Sequence, residues 1–283
     1  MHGVIPMVEK RRGPKRPAWR LALAAGLMAG LVGCATTGGE STGSMVDARS
    51  VVPAAEVDTD ERRRARIRLE LAAGYYQQRN YSVALDELRQ ALTIDPDYAA
   101  AYGMLGLVYM DLKETELADQ SFRKALNLMP ANAELNNNYG WFLCRSGRQL
   151  ESLPYFEKAA ADPLYQTPAR PLYAAGICMR QVQDEEKALA YLHRAFQVEP
   201  GNAVTLYNLA DIYLVRKDAD RAHFYSQRLL RSYQPTAQTL WQGLRVARLR
   251  DDSIEFESLA SQLRRGFPAS PEASLLAEER FGD

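Results

Sequence analysis

The strongest constraint in this sequence is a 34-residue beat. Pro96 and Pro130 are 34 residues apart, and Pro200 and Pro268 are twice that interval apart. Small residues keep the same spacing, with Ala84, Ala118, Ser152, Ala188 and Ala222 following one another at steps of 34, 34, 36 and 34. Ala91, Ala125, Ala159, Ala195 and Leu229 repeat those steps, as do Leu71, Leu105, Tyr139, Ala175 and Leu209. All three columns agree on a two-residue insertion near Pro163 to Pro168. A unit this short cannot bury its apolar face alone, so neighbouring units must stack and share a continuous core. The beat places repeats at 65–98, 99–132, 133–166, 169–202, 203–236 and 237–270, the last being the least regular, as befits a cap.

Within one unit the second repeat is the clearest, with Tyr102, Leu105, Gly106, Tyr109, Ala118, Phe122, Ala125 and Pro130. This arrangement resembles the tetratricopeptide repeat. Each column has a mechanical reason: Gly106 and Ala118 are small where two helices approach, Leu105, Tyr109 and Phe122 fill the space between them, and Pro130 ends the second helix. The resemblance implies an all-α, right-handed superhelical solenoid of about six helix-turn-helix pairs over residues 61–283.

The segment before the repeats reads as an address. Residues 1–33 hold six bases against one acid, then an apolar run from Leu21 to Val32 and a small residue before Cys34. Twelve residues of helix span roughly 18 Å, short of the roughly 30 Å of hydrocarbon that a membrane span must cross. Leu31-Val32-Gly33-Cys34 resembles the lipobox of bacterial lipoproteins, which implies cleavage before Cys34 and acylation of its thiol and amine. Ala35 stands where an Asp would signal inner-membrane retention, so the resemblance implies lipid anchoring at the outer membrane, facing the periplasm. From Cys34 to Asp60 the chain is rich in Thr, Gly, Ser and acids and reads as a flexible tether.

Bond chemistry finds little support. With residues 1–33 removed, the chain is five charges to the acidic side, which argues against nucleic acid. Three Cys and three His are too few for a zinc cluster. His193 and His223 lie in second helices without a nucleophile elbow or a phosphate loop nearby, and Asp184-Glu185-Glu186 and Asp251-Asp252 fall at expected helix starts. The expectation is therefore no enzyme, catalytic residue, metal, cofactor or small-molecule substrate.

What remains is a binding surface. In solenoids of this kind the first helices line the concave side, and places two, five, nine and twelve of each share one face. In repeats 3 to 5 that face carries Asn137 and Trp141, Tyr173 and Ile177, then Tyr207 and Asp211, a mixture of aromatic, amide and charged groups suited to protein recognition. In repeats 1 and 2 it carries Leu69, Tyr76 and Leu107 in a mostly apolar patch. Either set is a candidate contact surface, and packing against neighbouring repeats is the alternative for any one residue.

The lipobox, polar tether, repeats and the run Asn136-Asn137-Asn138-Tyr139-Gly140-Trp141 together resemble the pilotin family of type IV pilus biogenesis lipoproteins. That implies binding to pilus secretin subunits and aid in their outer-membrane localisation and multimerisation. The alternative is a scaffold lipoprotein for outer-membrane barrel assembly or for peptidoglycan synthases. With Cys34 committed to lipid, Cys144 and Cys178 remain as an even pair in an oxidising compartment. They stand at similar heights on the first helices of repeats 3 and 4, so a disulfide is expected, with buried free thiols as the alternative.

Overall fold

The computed structural model describes residues 59–281, so the expected signal segment, Cys34 and the tether lie outside the described residues. Thirteen helices follow among those described: α1 (Asp60–Gln77), α2 (Tyr81–Ile94), α3 (Ala99–Asp111), α4 (Thr115–Leu128), α5 (Ala133–Arg145), α6 (Gln149–Ala160), α7 (Ala169–Gln181), α8 (Glu185–Val198), α9 (Ala203–Val215), α10 (Ala219–Ser232), α11 (Ala237–Leu249), α12 (Ser253–Gly266) and α13 (Pro271–Ala277). The chain is thus an all-α solenoid of tetratricopeptide-type pairs. Helices α3, α5, α7, α9 and α11 begin at 99, 133, 169, 203 and 237, the starts that the repeat assigns. The longer spacing between repeats 3 and 4 is taken up by the loop between α6 and α7.

Two ends differ from expectation. Helix α1 begins at Asp60, five residues before the first repeat start, because its opening turn is held by ion pairs of Arg63 with Asp60 and Arg64 with Glu61. Arg62 reaches Asp95 and lies 4.6 Å over the Tyr98 ring, tying the extension to the second repeat's entry. At the other end the beat does not stop at 270: α13 starts at Pro271, 34 residues after Ala237, and packs on α11 and α12 as the first helix of a shortened seventh unit.

Backbone chemistry repeats as regularly as the side chains. Each turn from first to second helix passes through one left-handed residue, in the order Arg79, Lys113, Gly147, Gln183, Lys217 and Asp251. After it, an N–H reaches back five residues to the preceding helix, as in Asn80 N–H to Tyr75 O and Asp252 N–H to Ala247 O, both 2.9 Å. This bond satisfies a carbonyl that the helix end would otherwise orphan. Side-chain oxygens of Asn132, Asp184, Asn202, Asp218, Thr236 and Asp252 accept from the third residue of the following helix, which fixes where those helices start.

Packing explains the small columns. Ala84, Ala118, Ala188 and Ala222 are fully buried, and Ser152 is tolerated among them because its hydroxyl donates to Gln149 O at 2.6 Å. A Cβ on Gly106 would lie 2.7 Å from the Phe122 ring, so this position has no room for a side chain. Among the described residues, first helices approach the first helices of adjacent repeats backbone to backbone, whereas second helices meet through side chains alone, as in Arg194 with Glu157 and Phe196 with Tyr225. The first helices therefore form the inner row and the second helices splay outward.

Candidate partner-binding site

The inner row brings the expected residues of repeats 3 to 5 onto one surface. Trp141 on α5, Tyr173 on α7 and Tyr207 on α9 are half-buried and pack against a shared core that includes Cys144, Ala174, Cys178 and Ala210. Each ring is therefore seated on one side and open on the other, the state in which an aromatic group can be an anchor without being loose. Burial pushes the Tyr207 phenol up to about 12, with the Asp211 carboxylate adding to it, so the hydroxyl stays neutral and able to donate. Burial likewise raises the Tyr173 phenol. Ile177, one helical turn beyond Tyr173 on α7, is half-buried.

Polar bonds between repeats hold the surface in register. Arg180 donates to Asn208 Oδ1 at 2.9 Å and to Asp211 Oδ2 at 2.5 Å, so Asp211 is committed to an ion pair between α7 and α9. Arg170 donates to Glu134 Oε1 at 2.9 Å, and Tyr165 donates to the other oxygen of the same carboxylate at 2.9 Å. Gln242 Nε2 donates to Tyr207 O at 3.0 Å, joining α11 to α9.

Cys144 and Cys178 are joined by a disulfide, with Cα atoms 5.7 Å apart and both side chains fully buried. The bridge links α5 to α7 within the core against which Trp141 and Tyr173 pack, so it fixes the helices that carry two of the three rings.

Asn137 requires a correction. It was expected to face a partner, but it is only 2 % exposed, its Nδ2 donating to Asn138 Oδ1 at 3.3 Å. Its side chain is enclosed by protein and presents nothing to solvent. The preceding Asn136 also has an internal task, donating to Pro130 O at 3.0 Å and Asn132 O at 2.8 Å, which closes the loop before α5.

The patch of repeats 1 and 2 is divided between two cores. Leu69 and Tyr76 pack with the first pair of helices, while Leu107 packs with Phe142 and its neighbours. Tyr76 donates to Asp111 Oδ2 at 2.8 Å, and burial followed by that bond raises its phenol above the usual range. Beside this patch α1 shows a feature that periodicity alone did not flag. Ile67 and Leu71 are 58 % and 43 % exposed, although the matching places in repeats 2 to 5 hold buried Ala101, Leu135, Pro171 and Thr205, and Leu105, Tyr139, Ala175 and Leu209. There the face is covered by the second helix of the repeat before.

The histidines have packing roles. His193 Nε2 is 2.8 Å from the Tyr213 hydroxyl, and burial, then Arg221, lowers its pKa. His223 lies 3.3 Å from Glu255. Among the described residues no group of three or more His, Cys, Asp or Glu could hold a metal ion, and no helix is long and apolar enough to cross a membrane. Beyond the residues expected in repeats 3 to 5, Trp241, Arg245 and Arg248 continue the inner face at places five, nine and twelve of repeat 6. The 34-residue spacing that joins Tyr173 and Tyr207 reaches Trp241 one unit further on.

Comparison with known proteins agrees with this architecture. A tetratricopeptide repeat model matches residues 105–234, and a TPR repeat model matches residues 74–113. The chain is 31% identical over 261 residues to the type IV pilus assembly protein PilF of Pseudomonas aeruginosa, covering 92% of this chain and 99% of that one. Among solved structures it is similar to PilW, a widely conserved type IV pilus biogenesis factor, at 32% identity and a TM-score of 0.67, covering 75% of this chain and 98% of that one. It is also similar to the structure of Pseudomonas aeruginosa PilF, at 28% identity and a TM-score of 0.69, over 78% of this chain and all of that one.

Proposed function

The chain belongs to the type IV pilus assembly family that includes PilF, and from that premise we propose that it acts in pilus biogenesis as a pilotin. In this reading acyl chains on Cys34 hold the protein at the periplasmic face of the outer membrane, and the inner row of first helices binds secretin subunits and aids their localisation and multimerisation. The work is binding alone. The observation that carries the reading is full-length similarity to PilF, which extends across all six repeats instead of one or two. The half-buried Trp141, Tyr173 and Tyr207, set in a rigid cross-linked wall, support the inner row as the contact surface.

A second location for the same contact is favoured by one observation: the apolar stripe of Ile67 and Leu71 on α1, next to the Leu69 and Tyr76 patch, is exposed where other repeats cover it.

Co-purification from solubilised envelope tests the function. Secretin should be the dominant partner; barrel-assembly subunits or peptidoglycan synthases in its place would support the alternative scaffold role. The anchor is tested separately by Cys34→Ser. Each acyl methylene contributes about 0.8 kcal/mol to membrane partitioning, so the variant should leave the outer-membrane fraction and misplace secretin, whereas full retention would rule out lipid anchoring.

A further inference from the structure

Repeat 6 departs from its predecessors in two ways that meet at one point. Its inner face carries Trp241 at place five, and its column of small residues ends in the half-buried Phe256. Beyond α13 the chain turns through left-handed Glu279, with Arg280 N–H donating to Leu275 O at 2.9 Å, and delivers Phe281 to this corner. The Phe281 ring stacks on Trp241, with centroids 5.2 Å apart and planes 12° apart, and lies 5.7 Å from the Phe256 ring. The Arg248 guanidinium covers it at 4.3 Å. An aromatic platform, a second ring at the side and a cation above make a receptor for one aromatic side chain.

Two further observations separate this corner from the solenoid's ordinary core. The core of repeat 6 is closed by α13 itself, through Ala273 and Leu276, while Phe281 sits partly buried at its margin. Arg248 and Arg245, one turn apart on the same inner face, form no ion pair among the described residues, whereas Arg170 and Arg180 on α7 are each committed to a carboxylate. The corner thus offers an aromatic slot beside positive charge that is paired with no carboxylate among the described residues.

We propose that Trp241, Phe256 and Arg248 form an aromatic-residue subsite at the last repeat of the inner face, held in the free chain by Phe281 and taken over by a partner segment carrying Phe or Tyr next to a carboxylate. Phe281 shows how the side chain is held, and Arg245 and Arg248 supply the charge that selects an acidic neighbour. Competition in cis sets a threshold: a partner segment must outbid a ring already at high effective concentration, so weak or aromatic-free sequences are excluded. The proposal rests on the inner-row reading only for the partner's identity, and its test uses no partner protein.

The probe is the acetylated peptide Glu-Glu-Arg-Phe-Gly-Asp, the sequence of residues 278–283, titrated into full chain while the Trp241 indole N–H resonance is followed. The Phe281→Ala chain should bind it, and the unchanged chain should bind at least about tenfold more weakly because its own ring competes. The peptide with Ala in place of Phe should not bind, and Arg248→Gln should weaken binding to the Phe281→Ala chain. Phe281→Leu, which keeps apolar bulk but loses the stacking face, should give intermediate affinity. Equal affinities for the unchanged and Phe281→Ala chains would overturn the proposal, as would no binding by a folded Phe281→Ala chain. Loss of amide protection throughout α11 and α12 in both Phe281 variants would make the contact a structural cap, which also overturns it.

Discussion

Replacing Cys144 and Cys178 together by Ala should lower stability by an amount that the covalent topology sets in advance. The bridge closes a loop with 34 residues of sequence separation, and the chain-entropy relation gives about 3.8 kcal/mol at 25 °C for a loop of that size. Alanine at both sites leaves no unpaired polar group, and both positions are fully buried, so the packing loss is that of the two sulfur atoms. At about 2–4 °C per kcal/mol for a chain of this size, the melting temperature should fall by roughly 8–15 °C. Urea titration with and without reductant isolates the bridge: reductant should destabilise the unchanged protein by a similar amount and leave the double variant unaffected. Because a solenoid couples mainly nearest neighbours, amide exchange should show the loss concentrated in α5 to α8, with α1, α2 and α12 little changed. The reasoning is refuted if reductant shifts the unchanged protein by less than about 1 kcal/mol, or if trapping before lysis recovers both thiols alkylated.

Two further outcomes test the account of the fold. Gly106→Ala drives a methyl group into the Phe122 ring at 2.7 Å and should destabilise by about 1–3 kcal/mol, read by urea midpoint; a neutral result would mean that α3 and α4 separate more freely than their packing suggests. At the left-handed turn position, Lys113→Gly should stabilise and Gly147→Ala should destabilise, each by about 1 kcal/mol, since a Cβ on Gly147 meets no neighbour and only the backbone conformation is at issue. Equal and opposite shifts in calorimetric melting temperature would check the pair.

How far the sequence carries depends on what generates each feature. The inner row was legible because one geometric cause, two helices packed at fixed distance, acts identically every 34 residues, so the Ala118 and Gly106 columns expose helix identity and register together. The turns were not legible: five of the six left-handed positions hold Arg, Lys, Gln or Asp, because the backbone bond across the turn stabilises the conformation without needing glycine. Helix α1 outran its repeat because its extra turn is fastened by charge pairs that have no periodic counterpart. Asn137 shows a different limit. Its place on the face follows from the helix angle alone, which carries no information on how closely neighbouring elements approach, and the side chain is 2 % exposed. Trp241 and Phe281 needed contact geometry, since nothing in the spacing joins residues 40 apart across a shortened seventh unit.

The most direct test of the central claim is titration of purified secretin periplasmic domain into the unchanged protein and into Trp141→Ala and Tyr173→Ala/Tyr207→Ala variants whose helical circular dichroism is intact. Half-seated aromatic anchors of this kind commonly account for 2 kcal/mol or more when truncated, so Kd should rise roughly thirtyfold in each variant. Secretin affinities within about twofold of the unchanged protein for both variants would contradict the claim that the inner row of first helices is where the cargo is held.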